Sequence, residues 1–142
     1  MNDNFLDTNI LLYSLSDDPA KRRRALRLLI NGPVVSLQVL NEAANVMRRK
    51  LGFEIAAIRE VLLRCLQESR LHPLAPSTLF SALDVAERYG FSHYDSLIVA
   101  AALESGCSIL YSEDLQHGQV IDQRLTVINP FLPEMAIDQP RG

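Results

Sequence analysis

Helical periodicity alternates with short β-rich runs along almost the whole chain, and no other feature limits the fold as much. Strands separated by helices run parallel, because each crossover returns the next strand to the same edge; the pattern therefore predicts a parallel sheet covered by helices. Strands are expected near 4–6, 34–35, 71–74, 109–111 and 125–128, and helices over 20–30, 37–50, 54–68, 76–89 and 93–105. Punctuation supports these limits: Asn31-Gly32-Pro33, Gly52, Gly90 and Gly106 stop helices, while Ser36 and Pro76-Ser77 open them. The run Leu97-Ile98-Val99-Ala100-Ala101-Ala102-Leu103 is apolar all round, so its helix is expected to be the most buried.

The chain has 142 residues, 48% of them hydrophobic, which suits one domain with its own core. That domain is expected over 1–132, with 133–142 a frayed tail. Neither a basic leader before an apolar run nor an uninterrupted apolar stretch of membrane-spanning length is visible, so a cytoplasmic protein without membrane contact is expected. Cys65 and Cys107 fit no metal-type spacing and lie in apolar segments, where cysteine acts as a small hydrophobe. There is no internal repeat.

Chemistry concentrates in four acids. Asp7 follows the first strand in Asp7-Thr8-Asn9, and Asp114 follows a later strand in Ser112-Glu113-Asp114. Ligands of open α/β sheets collect outside the carboxyl ends of strands, where both acids would stand. Asp95 opens the most apolar helix, and Glu42 borders the stripe Val39, Leu40, Ala43, Val46 and Met47 of a helix that itself follows a strand. Each acid taken alone has a local explanation: Asp7 and Asp95 as helix caps or dipole partners, Asp114 as turn chemistry, Glu42 as a surface charge. Gathered at one edge they would repel by roughly 4 kcal/mol per pair at ~4 Å and an effective dielectric of about 20, unless protons or a multivalent cation intervened. Oxygen ligands favour magnesium or manganese.

Asp7-Thr8-Asn9 after a hydrophobic strand, Ser36 with Glu42 six residues on, His93-Tyr94-Asp95 before an Ala-rich helix, and Ser112-Glu113-Asp114 after a strand together resemble the PIN-domain nucleases, over about residues 4–131. The resemblance is closest to the VapC-like toxins. It implies a three-layer α/β/α sandwich on a central parallel sheet and a Mg2+- or Mn2+-dependent endoribonuclease site, with Asp7, Glu42, Asp95 and Asp114 as catalytic, metal-binding acids. Asn9 and Ser112 match supporting polar positions of the family. In that family the last acid stands two residues after the Ser or Thr, which selects Asp114 over Glu113, and Asp122 lies too far along. The resemblance further implies an RNA substrate, a homodimer, and a small antitoxin that blocks the site. Two alternatives remain: a catalytically silent PIN-like module that binds RNA or protein, and a magnesium-dependent phosphatase. The phosphatase is disfavoured because position 9 is Asn where an Asp-x-Asp site needs a second acid.

A net charge of −3 excludes broad adhesion to nucleic acid, but setting the four acids aside leaves 13 acids against 14 bases. Lys21-Arg22-Arg23-Arg24 with Arg27, and Arg48-Arg49-Lys50, are the candidate phosphate contacts; either cluster can equally be a solvated helix face. Aromatic residues do not interleave with these bases, so no stacking platform is expected there. His93 is expected at a helix entry or on the surface, and His72 and His117 have no assignable partners.

Overall fold

The computed structural model describes residues 4–138. In chain order the elements are β1 (Asn4–Leu6), α1 (Thr8–Tyr13), α2 (Pro19–Ile30), β2 (Val34–Ser36), α3 (Leu37–Arg49), α4 (Ile55–Glu68), β3 (Arg70–His72), α5 (Pro76–Tyr89), α6 (His93–Glu104), β4 (Ile109–Tyr111), β5 (Val120–Ile121) and β6 (Leu125–Ile128). Pro133–Asp138, within the segment expected to fray, form a 3-10 helix. Residues 139–142 of the expected tail lie outside the described residues.

One six-stranded sheet runs in the order β3-β2-β1-β4-β6-β5. All neighbours are parallel except β5, which pairs antiparallel with β6, so the central parallel sheet expected from the sequence is present and carries one antiparallel strand at its edge. The physical reason is a short return hairpin: three residues join Ile121 to its partner Leu125, Asp122 and Gln123 both take positive φ (51° and 58°), and the Arg124 N–H closes the turn on the Ile121 carbonyl at 3.1 Å. Helices α1–α4 pack with one another, and α5 packs along α6, so the sheet is held in an α/β/α sandwich.

The chain builds outward from β1 to β3, then returns to place β4 on the other side of β1. That reversal leaves a crevice outside the carboxyl ends of β1 and β4, the place where ligands gather in open α/β sheets. Beneath it the core is continuous: Phe5, Leu6, Val35, Val39, Met47, Ile98, Val99, Leu110 and Val127 are all essentially inaccessible. As the apolar run predicts, α6 is buried on all sides, with Ser96, Ile98 and every residue from Val99 to Leu103 shielded. The helix expected over 54–68 is present as α4, and it buries only part of its apolar side. Ile58 and Cys65 are buried, whereas Ile55 and Leu66 remain exposed. Both cysteines are free and buried, as expected. Among the described residues no helix is long and apolar enough to cross a membrane.

Candidate active site

Register sets the geometry. Leu6 stands opposite Tyr111 across the parallel β1–β4 pair, and the Asp7 N–H donates to the Tyr111 carbonyl at 3.0 Å, so the residues after the two strands leave side by side. The Ser112 hydroxyl consequently reaches Asp7 Oδ2 at 2.8 Å. Ser112 Oγ also accepts the N–H groups of Asp114 (3.1 Å) and Leu115 (3.3 Å), which shapes the turn that carries Asp114. One buried hydroxyl thus links the first acid to the loop of the last.

Asp7 caps α1 as well: its Oδ1 accepts the Thr8 N–H at 2.7 Å. Cap and site acid are therefore one side chain. Asp7 is only 4% exposed, and burial pushes its carboxyl up from 3.8 to about 6. The Ser112 and Thr8 hydrogen bonds work against that rise, while the negative charges of Asp114 and Asp95 add to it. The fold has accordingly brought those two acids within electrostatic reach of Asp7.

Glu42 arrives from α3, which starts at the same edge because Ser36 ends β2 and caps the helix by accepting the Val39 N–H at 3.3 Å. Glu42 Oε1 accepts from the Thr8 hydroxyl at 2.8 Å and from Gln38 Nε2 at 3.5 Å. Gln38 Nε2 also donates to the Tyr94 carbonyl at 3.2 Å, joining α3 to the start of α6. Asp95 occupies that first turn, where the Ser92 hydroxyl accepts its N–H at 3.2 Å. Glu42 and Asp95 are half-buried, and Asp114 is exposed.

Several residues take parts that sequence reasoning did not assign. Thr8, the middle residue of the first triplet, holds a carboxylate 34 residues away. Gln38 ties two elements of the site together; its position on the buried side of α3 was the only available signal. Asn9 Oδ1 accepts the Glu113 N–H at 3.4 Å, and among the described residues its buried Nδ2 has no hydrogen-bond partner. Glu113 turns away to accept the Tyr13 hydroxyl at 2.7 Å, with Lys21 Nζ 3.8 Å from its other oxygen. Asp114, unlike its acidic neighbour, is exposed, and its charge bears on Asp7. Asp122 lies in the distant β5–β6 turn, ion-paired to Arg88 at 2.7 Å.

The first basic cluster is largely committed to the fold. Arg24 is buried and donates to the Pro130 carbonyl, Arg22 donates to the Ser16 carbonyl, and Lys21 sits over the Tyr13 ring. Arg48, Arg49 and Lys50 are exposed at the far end of α3. His93 is exposed at the start of α6, as expected; His72 pairs with Glu104 at 3.0 Å, and His117 Nδ1 accepts the Asn129 N–H.

The chemistry of this donor set fits a hard divalent cation: the groups are carboxylate oxygens, and a positive ion would relieve the cost that burial and two neighbouring charges impose on ionised Asp7. Among the described residues, however, no three Asp, Glu, His or Cys side chains stand close enough together to ligate one ion as they are.

No curated protein is significantly similar to this chain in sequence. Solved structures similar in fold include a toxin–antitoxin complex from Klebsiella pneumoniae (TM-score 0.66, 18% identity, 90% of this chain and 98% of that one). VapBC2 from Rickettsia felis, bound to a DNA fragment from its promoter, gives 0.64 at 20% identity over 87% and 97%. VapC20 from Mycobacterium tuberculosis, a sarcin-ricin loop cleaving toxin, gives 0.63 at 20% identity over 78% and 89%. The PIN domain family matches residues 5–121, from β1 through β5. With a sheet that reverses beside its first acid and a family match spanning most of its length, the chain belongs to the PIN-domain family.

Proposed function

We propose that this protein is a metal-dependent endoribonuclease and the toxin component of a toxin–antitoxin module, with Asp7, Glu42, Asp95 and Asp114 as its metal-binding acids. The observation that carries this reading is the buried Asp7 carboxylate at the sheet's reversal point, held by Ser112 and burdened by the charges of Asp114 and Asp95. A folded chain does not ordinarily keep such a costly arrangement without a use for it.

Asp7, Glu42, Asp95 and Asp114 would hold a magnesium or manganese ion, which would supply acidified water and offset charge on the reacting phosphate. The remaining work belongs to the chain. Ser112 and the Thr8 N–H fix both oxygens of Asp7. The Thr8 hydroxyl and Gln38 orient Glu42, and the α6 start positions Asp95. Asp114, the most exposed of the four, faces arriving substrate. Ser112 supports Asp7 directly, and Asn9 supports the loop that carries Asp114 through the Glu113 N–H. Exposed Arg48, Arg49 and Lys50 contact RNA phosphate, where their charge adds affinity without sequence preference.

The similar toxin–antitoxin structures support a small antitoxin as partner, and the family resemblance supports a homodimer. The test is RNA cleavage in magnesium, manganese or chelator by the native protein, Asp7→Asn and Asp95→Asn. Metal-dependent cleavage lost in both variants is expected. RNA bound but not cut would make the chain a silent binding module, and full activity in either variant would refute the assignment.

A further inference from the structure

Of the nine aromatic rings in the chain, two are exposed: Phe80 (65%) on α5, which carries none of the four acids, and Tyr94 (63%) in the first turn of α6, immediately before Asp95. The other seven are buried or half-buried. Tyr94 is also firmly held. Its carbonyl accepts from Gln38, a side chain 5% exposed, and its turn is capped by Ser92 and continues into the most buried helix of the protein. The exposed His93 ring meets Tyr94 edge-on, with centroids 5.1 Å apart and planes at 79°. A single T-shaped neighbour occupies at most one face of the tyrosine, and the ring stays largely exposed. The result is a rigid backbone displaying an open aromatic ring one residue from a site acid.

We propose that Tyr94, buttressed by His93, is a base-stacking platform beside the site, a specificity-determining residue that receives the nucleobase flanking the scissile phosphate. The proposal rests on the ribonuclease reading. Proteins that read unpaired RNA splay bases onto aromatic faces, a contact that tolerates any base because every base offers a π-face. A paired nucleotide inside an A-form helix keeps both faces stacked on its neighbours and has none to offer Tyr94. Tyr94 stands on the turn that carries Asp95, and Gln38 ties that turn to Glu42, so the ring is displayed on the same backbone that positions two of the acids. Gln38 serves both sides of this arrangement, since one amide nitrogen bonds Glu42 and the Tyr94 carbonyl.

The test compares binding of a fluorescent oligoadenylate decamer with an all-abasic decamer of equal charge, in calcium, with oligonucleotide integrity checked on gels. Tyr94→Ala should weaken decamer binding on the order of 10-fold, Tyr94→Leu similarly, and Tyr94→Phe less than about twofold. None of the three should change binding of the abasic strand, whose attraction is through phosphate alone. Unchanged decamer binding by Tyr94→Ala, equal weakening on both strands, or failure of the native protein to bind the decamer would overturn the platform. Cleavage in magnesium is measured separately: a native protein that stacks RNA on Tyr94 without cutting it would refute the nuclease reading and leave the platform standing.

Discussion

Replacing Asp7 with Asn should stabilise the metal-free protein at neutral pH, by an amount that follows from its surroundings. Burial chiefly, with Asp114 and Asp95, raises the Asp7 carboxyl from 3.8 to about 6. Well below pH 3.8 the carboxyl is protonated in both folded and unfolded chains. As pH rises from there the unfolded chain releases its proton first, so stability falls until the folded carboxyl has also ionised, above about pH 6. At about 1.4 kcal/mol per pH unit, the ionised group then costs the folded state about 3 kcal/mol. Asn carries no charge, keeps an acceptor for the Thr8 N–H, and loses the hydrogen bond from Ser112, worth about 1 kcal/mol. Asp7→Asn should therefore be about 1–2 kcal/mol more stable than the native protein at pH 7.5 in EDTA, equivalent to about 3–6 °C in Tm for a chain of this size. Urea unfolding of both proteins at pH 4.5, 6 and 7.5 gives the comparison. The advantage of Asn should grow by about 2 kcal/mol from pH 4.5 to 7.5. A difference that stays constant across this range would show that Asp7 is not held in the costly ionised state described above.

Three other perturbations separate the supporting contacts. Thr8→Val removes the hydroxyl that holds Glu42 while keeping side-chain shape; manganese affinity by calorimetry should fall about 10- to 100-fold with the fold intact. Ser112→Ala deletes the Asp7 bond and leaves the Asp114 and Leu115 N–H groups without their acceptor, so urea unfolding should show a loss of about 1–3 kcal/mol. Arg48→Ala with Arg49→Ala should weaken RNA binding uniformly across sequences and lower its salt slope by up to about 2, because each phosphate contact contributes about one.

The parts of the fold that could be read from the sequence are those whose cause is local. The α6 helix is apolar at nearly every position, so its burial follows from composition alone, and Pro76 and Gly90 bound α5 where helix chemistry places them. The β5 strand was not legible. It has two residues, and its turn uses Asp122 and Gln123 at positive φ where the usual signal is Asn-Gly or Asp-Gly. Asp122 is held there by distant Arg88 and Tyr89. The site divides in the same way. Asp7 and Asp114 were visible because acids after strands in an α/β chain point to the sheet edge, and the structure places Asp114 and Asp95 close enough to raise the Asp7 carboxyl. The grip of Thr8 on Glu42, the bridge made by Gln38 and the diversion of Glu113 to Tyr13 join residues that only tertiary packing brings together.

The account depends most on one claim, that the acids at the reversal of the sheet hold a divalent cation. Anomalous diffraction from crystals soaked in manganese tests it directly. A peak within ligating distance, about 2.0–2.6 Å, of Asp7 together with at least one of Asp95, Asp114 and Glu42 is the predicted result. Manganese bound elsewhere while these four carboxylates stay unligated would contradict it.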